Sequence, residues 1–165
     1  MTQNSRKLPR EKFEEQEFGK GKKGYTLCTG CGAVYYEKSW HHKEKYADKM
    51  EEIEKEAKKS ICPACAREKD NLCEGFVTLK NVPEDKKEEL LNLIKNAGER
   101  AIRNDILSRV TKIEERDGNI EICTTENQLA VSLGKQIKSA FEGELDINFS
   151  AQGGPARVVW AYPEK

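Results

Sequence analysis

Two Cys-x-x-Cys pairs, Cys28-Thr29-Gly30-Cys31 and Cys62-Pro63-Ala64-Cys65, restrict this chain more than any other feature. Two residues between cysteines let one tight turn aim both sulfurs at a common point. Two such turns, roughly 30 residues apart, supply four thiolates at the corners of a tetrahedron, the arrangement that suits Zn²⁺ at Zn–S distances of about 2.3 Å. Gly30 and Gly32 let backbone amides turn toward sulfur without a Cβ in the way, and Pro63 presets φ in the second turn. The gap between the pairs exceeds that of the tightest zinc ribbons, so an insertion is expected between the two turns.

Disulfides and a redox dithiol are the competing readings of such pairs. No signal-peptide pattern is read at the N-terminus, and cytosolic thiols stay reduced. Redox pairs do not usually come in twos flanking an insertion. Cys28, Cys31, Cys62 and Cys65 are therefore expected to hold one structural Zn²⁺. Four sulfurs fill the coordination sphere, leave no position for a reacting water, and argue against an enzyme. His41 and His42 are expected to be structural or surface residues, and Trp40 to cover the metal site. Cys73 and Cys123 are expected to be free thiols.

The 165 residues suffice for one ordinary domain and a small satellite. The charged share, 35%, nearly equals the apolar share, 36%, and no apolar run approaches the ~20 residues of a membrane span. Lys+Arg and Asp+Glu balance at 29 each, so a nucleic-acid argument has to come from where the charges sit. Residues 1–24 are net basic and poor in large apolar side chains, and are expected to form a disordered tail. Lys20, Lys22 and Lys23 are its candidate phosphate contacts.

Residues 25–74 are read as the ribbon, with short strands at Tyr25–Leu27 and Ala33–Tyr36. Tyr46, Met50, Ile53 and Ala57 recur at helical spacing, so an inserted helix is predicted over 43–60, with Glu51/Lys55 and Glu54/Lys58 as exposed pairs. From residue 75 the rhythm is cleaner. Gly75–Leu79 reads as a strand, Pro83 opens a helix, and Val110–Glu115 is a second strand. Asp117-Gly118 signals a hairpin into a third strand. Thr125 is placed to cap a second helix carrying Leu129, Leu133 and Ile137. Leu145, Ile147 and Phe149 alternate on a fourth strand, and Val158–Trp160 form a fifth. The fold expected is α+β: an N-terminal four-cysteine zinc ribbon with a helical insertion, then a ferredoxin-like βαββαβ domain over 75–165 with an extra C-terminal strand. An exposed Val158–Tyr162 edge would allow a homodimer.

Cys-x-x-Cys-Gly-Ala-Val-Tyr with Trp40 downstream, then Cys-Pro-Ala-Cys, resembles a family of small prokaryotic zinc-ribbon proteins. So do the segments Ile113–Gly118, Thr124-Thr125, Leu129-Ala130, Gly143–Asp146 and Arg157–Trp160, so the resemblance spans roughly residues 25–162. More distantly, the chain is similar to the N-terminal part of the Nmd-type nuclear export adapter of the large ribosomal subunit. That resemblance implies zinc on Cys28, Cys31, Cys62 and Cys65 and contact with the large subunit. The resemblance covers that N-terminal part alone, so export is not expected to carry over.

These readings converge on a non-catalytic, cytoplasmic, zinc-stabilised protein that binds RNA or the ribosome, without a membrane or a small-molecule substrate. The tail lysines with Lys58, Lys59, Arg67 and Lys69 carry the phosphate contacts, and Lys135, Lys138 and Arg157 are further candidates. The alternative is a protein–protein adapter that binds no nucleic acid.

Overall fold

The computed structural model describes residues 24–150 and 153–164. The basic tail up to residue 23, including Lys20, Lys22 and Lys23, lies outside them. Contacts divide the chain into two compact units, Met1–Cys62 and Pro63–Lys165, with the division inside the second Cys-x-x-Cys turn.

In the first unit, β1 (Thr26–Cys28), β2 (Val34–Tyr36) and β3 (Ser39–His41) form an antiparallel meander, and β4 (Lys58–Ser60) joins β1 in parallel. The sheet order is β3-β2-β1-β4. The single inserted helix predicted over 43–60 is corrected. Lys43–Lys49 is a 3-10 segment interrupted at Tyr46, α1 spans Met50–Glu56, and residues 58–60 are a strand. The apolar stripe is too thin to hold a longer helix, since Ile53 is the buried residue of α1. The open edge of β1 meanwhile needs partners for its backbone polar groups. The Lys58 N–H donates to Tyr25 O at 3.1 Å and the Thr29 N–H to Ser60 O at 2.8 Å, which draws 58–60 into the sheet. The Glu51/Lys55 pair forms at 3.3 Å, whereas Lys58 leaves the helix before it can meet Glu54. Aromatic rings supplement the small core. Tyr25 stacks on Tyr36 with centroids 4.4 Å apart, and Tyr46 meets both edge-on.

The second unit begins with α2 (Pro63–Lys69) and continues through β5 (Gly75–Lys80), α3 (Glu84–Asn104), β6 (Val110–Arg116), β7 (Asn119–Thr124), α4 (Asn127–Ala140), β8 (Glu144–Phe149) and β9 (Ala156–Ala161). The sheet order is β6-β7-β5-β9-β8. The crossover from β5 through α3 to β6 leaves room for β7 between the two strands, which is the split β-α-β of the ferredoxin type. The β6–β7 turn has Asp117 at φ 53° and Gly118 at φ 78°, both left-handed, as a two-residue hairpin requires.

The fifth strand is not an added edge. β9 pairs in parallel with β5 and antiparallel with β8, so it lies inside the sheet, and β6 and β8 are the outer strands. The expected Val158–Tyr162 edge is corrected accordingly. Val158 and Trp160 are buried, and the apolar character that suggested an edge strand is that of a core strand. Both helices put the predicted apolar faces into one core: Leu90, Ile94 and Ala97 from α3, and Leu129, Leu133 and Ile137 from α4, against Val77, Leu79, Ile120 and Ile122 of the sheet. A Cβ on Gly134 would come within 2.5 Å of Val158 Cγ1, so glycine is what lets α4 lie this close to β9.

Candidate metal centre

The four cysteines of the two pairs come together. Their Sγ atoms all lie within 4.8 Å of one another, close enough to hold one metal ion, and this set contains no histidine. Cys28 and Cys62 are fully buried, Cys65 is buried and Cys31 is half-buried.

Local backbone geometry aims each sulfur. Cys28 ends β1, and its N–H donates to Ala33 O at 2.8 Å while the Gly32 N–H returns to Cys28 O at 3.1 Å, closing the first turn. Gly32 makes that turn at φ +78°, a conformation that side-chain-bearing residues adopt at a cost. The Gly30 N–H then points at Cys28 Sγ at 3.3 Å, and the Cys62 N–H donates to the same sulfur at 3.2 Å. Pro63 opens α2, where its missing N–H costs no helical bond, and Cys65 follows in the first turn. Cys31 Sγ and Cys62 Sγ stand 3.8 Å apart.

The electrostatics favour thiolate. Burial pushes the Cys28 thiol up, but the backbone N–H groups of Cys31, Cys62 and Gly30, with the Cys31 side chain, outweigh it and hold the group down at about 6. A thiolate is the form that ligates a metal.

One participant escapes sequence reading. Arg109 is only 7% exposed, and its Nη1 donates to Cys65 Sγ at 3.4 Å. Its Nε donates to Ile106 O at 2.9 Å, and Nη1 pairs with Glu68 Oε2 at 3.5 Å. The backbone of Arg109 is pinned as well. Its N–H donates to Thr125 Oγ1 at 2.8 Å, and its carbonyl accepts the Thr125 N–H at 2.9 Å. Thr125 is thus not the helix cap that was expected. Glu126 holds the cap position of α4, and the Thr125 hydroxyl also donates to Leu107 O at 2.7 Å. Sequence offered no route to Arg109, which lies 44 residues beyond Cys65 in the chain.

The remaining site candidates are scattered. Lys58 and Lys59 are neighbours on β4, an outer strand of the first sheet, and both are exposed. Arg67 and Lys69 are in the last turn of α2, where Arg67 stands 3.6 Å from Glu74. Arg157 covers the Phe76 ring, 4.8 Å from its centroid. The Trp40 ring packs on Tyr35, with centroids 5.3 Å apart. His41 takes the structural role expected of it, with Nε2 2.9 Å from Ser39 Oγ and 3.3 Å from Tyr36 O.

Cys73 and Cys123 are joined in a disulfide, which corrects the expectation of two free thiols. The pairing of Gly75 with Thr124 across β5 and β7 brings the chain before β5 alongside residue 123, and the Cα atoms stand 5.4 Å apart, within bridging range. No described helix is long and apolar enough to cross a membrane. No family model, no curated protein and no solved structure matches the chain.

Proposed function

We propose that this is a non-catalytic, zinc-stabilised protein that binds RNA, in association with the ribosome. The observation that carries the reading is the closed set of four sulfurs. A tetrahedral ion with Zn–S bonds of about 2.3 Å has sulfur–sulfur edges of about 3.8 Å, and the Cys31–Cys62 separation is 3.8 Å. The donor set also fits by chemistry, since four soft sulfur ligands favour Zn²⁺ over the oxygen-seeking Mg²⁺ or Ca²⁺.

Cys28, Cys31, Cys62 and Cys65 hold the ion, and what it supplies is cohesion, because the binding free energy of a structural ion is folding free energy. Four thiolates around a divalent ion leave the centre negative. The Gly30 and Cys62 N–H groups and the Arg109 guanidinium offset that charge through hydrogen bonds to sulfur. Such partners orient the ligands and raise affinity without taking a coordination position.

The RNA half of the reading rests on exposed cations presented by fixed backbone. Lys58 and Lys59 project from an outer strand, and Lys69 from α2. Phosphate contacts of this kind place a protein on RNA without reading its sequence. Lys20, Lys22 and Lys23 extend the basic character from the N-terminal segment.

The test has two parts. Elemental analysis of protein purified without added metal is expected to find one zinc per chain. Sedimentation with ribosomes through sucrose is expected to fall as salt rises, and to weaken when Lys58→Glu and Lys59→Glu are combined. Sedimentation indifferent to both salt and charge reversal would defeat the RNA reading. Capture of a protein partner that survives nuclease would replace it with the adapter alternative.

A further inference from the structure

A hollow of about 700 Å³ runs along the outer face of α4. Gln128, Val131, Lys135 and Ser139 recur on that face at steps of three and four, and Leu93 and Arg100, seven apart on one face of α3, form another wall. Phe149 completes the lining from β8.

Three features of the lining point to an occupant. The first is charge. In a chain with as many acidic as basic residues, the described lining holds Arg100 and Lys135 and no carboxylate. The second is Phe149. Leu145 and Ile147 alternate with it on β8 and pack against the core. Phe149 shares their face but stands 65% exposed at the end of the strand. A large apolar ring this open, lining the same hollow as Arg100 and Lys135, presents a face on which a planar group can stack. The third is pre-organisation. Arg100 Nη2 donates to Gln136 Oε1 at 3.0 Å, and Gln136 Nε2 donates to Ser132 Oγ at 3.0 Å, which holds the guanidinium against the rim of the hollow.

We infer that this hollow binds single-stranded RNA, with phosphates on Arg100 and Lys135 and one base stacked on the Phe149 ring. The inference rests on the RNA reading above and adds a second contact surface to it. An anion alone would leave the ring uncovered, and an apolar partner would bury two cations without a counter-charge. A nucleotide satisfies both, because every base has a π-face to stack and every linkage a phosphate. The amide of Gln128 supplies a neutral donor and acceptor for base edges.

The experiment is fluorescence anisotropy of a labelled single-stranded RNA twelve-mer with the full, metal-loaded chain. Phe149→Ala is expected to weaken binding about tenfold, and Phe149→Tyr to restore it, since the ring face is kept. Arg100→Gln with Lys135→Gln is expected to weaken binding and to flatten the dependence of log K on log salt by about 1.4, two phosphates at about 0.7 each. Lys95→Gln, on the other flank of α3, is expected to bind like the parent. The substitutions are at exposed or rim positions, and equal thermal melting temperatures check that each variant folds. If the parent chain binds RNA and both groove variants bind equally well, this inference falls and the RNA reading stands. If the parent binds no RNA, both fall. Displacement of the RNA by poly-glutamate at equal charge would also overturn the inference, because the hollow would then be a site for anions without a base.

Discussion

The two units reach stability by different routes. The second closes a five-stranded sheet under two amphipathic helices, and most of its buried apolar residues form one continuous cluster. The first has strands of three residues, an α-helix of seven, and a core of little more than Ala33, Val34, Tyr35 and Ile53. So small a core does not outweigh the entropy of ordering its own backbone, and small domains of this kind need a metal or a disulfide. The two Cys-x-x-Cys turns stand where that deficit is greatest. The lesson is that an ion held by the four sulfurs would have a definite energetic task in this unit, which is to replace the missing apolar area.

Removing the metal should set the two units apart most clearly. Chelation, or Cys62→Ser, is expected to unfold the first unit, because a structural zinc contributes roughly 10–16 kcal/mol of apparent folding free energy. Amide NMR signals of residues 24–62 should collapse to random-coil positions while those of β5–β9 keep their dispersion. Equal loss from both units would show that the second depends on the ion as much as the first.

Next in size is the disulfide. Cys73 and Cys123 close a loop of 50 residues. Replacing both with serine is expected to cost roughly 4 kcal/mol in urea unfolding of the metal-loaded protein, mostly through the freer unfolded chain. The loss belongs to the second unit, and zinc content should stay at one per chain. Within the same unit Leu133→Ala, at a fully buried position of α4, is expected to cost about 2–5 kcal/mol by leaving a cavity.

A smaller effect tests the link between Arg109 and the centre. Arg109→Met keeps the volume and removes the donor to Cys65. Zinc affinity measured by competition with a chromophoric chelator is expected to fall about 10- to 100-fold. Unchanged affinity would reduce Arg109 to the partner of Glu68 and Ile106. Smallest is the Glu51/Lys55 pair, exposed on both sides, where Lys55→Ala should shift stability by no more than a few tenths of a kcal/mol.

Sequence periodicity was a good guide where burial is deep. The α4 positions Leu129, Leu133 and Ile137 are core as their spacing predicts. It misled where burial is shallow. Tyr46, Met50, Ile53 and Ala57 share the helical period, but with Ile53 alone buried in α1 the stripe could not outweigh the demand of β1 for a hydrogen-bonding neighbour. The RNA candidates were legible only as charges, because exposed lysines leave no periodic mark of what they face.

Spacing along the chain was enough to specify the four candidate ligands, the ferredoxin-type order of strands and helices, and the faces that make the core. Each has its own local period: two residues between sulfurs, two-residue alternation in strands, three or four in helices. Three-dimensional packing was needed to place β9 inside the sheet, to bring Cys73 to Cys123, and to carry Arg109 to the sulfur of Cys65. These are contacts across tens of residues, set by strand register and by which backbone groups remained to be paired, and local spacing carries no information about either.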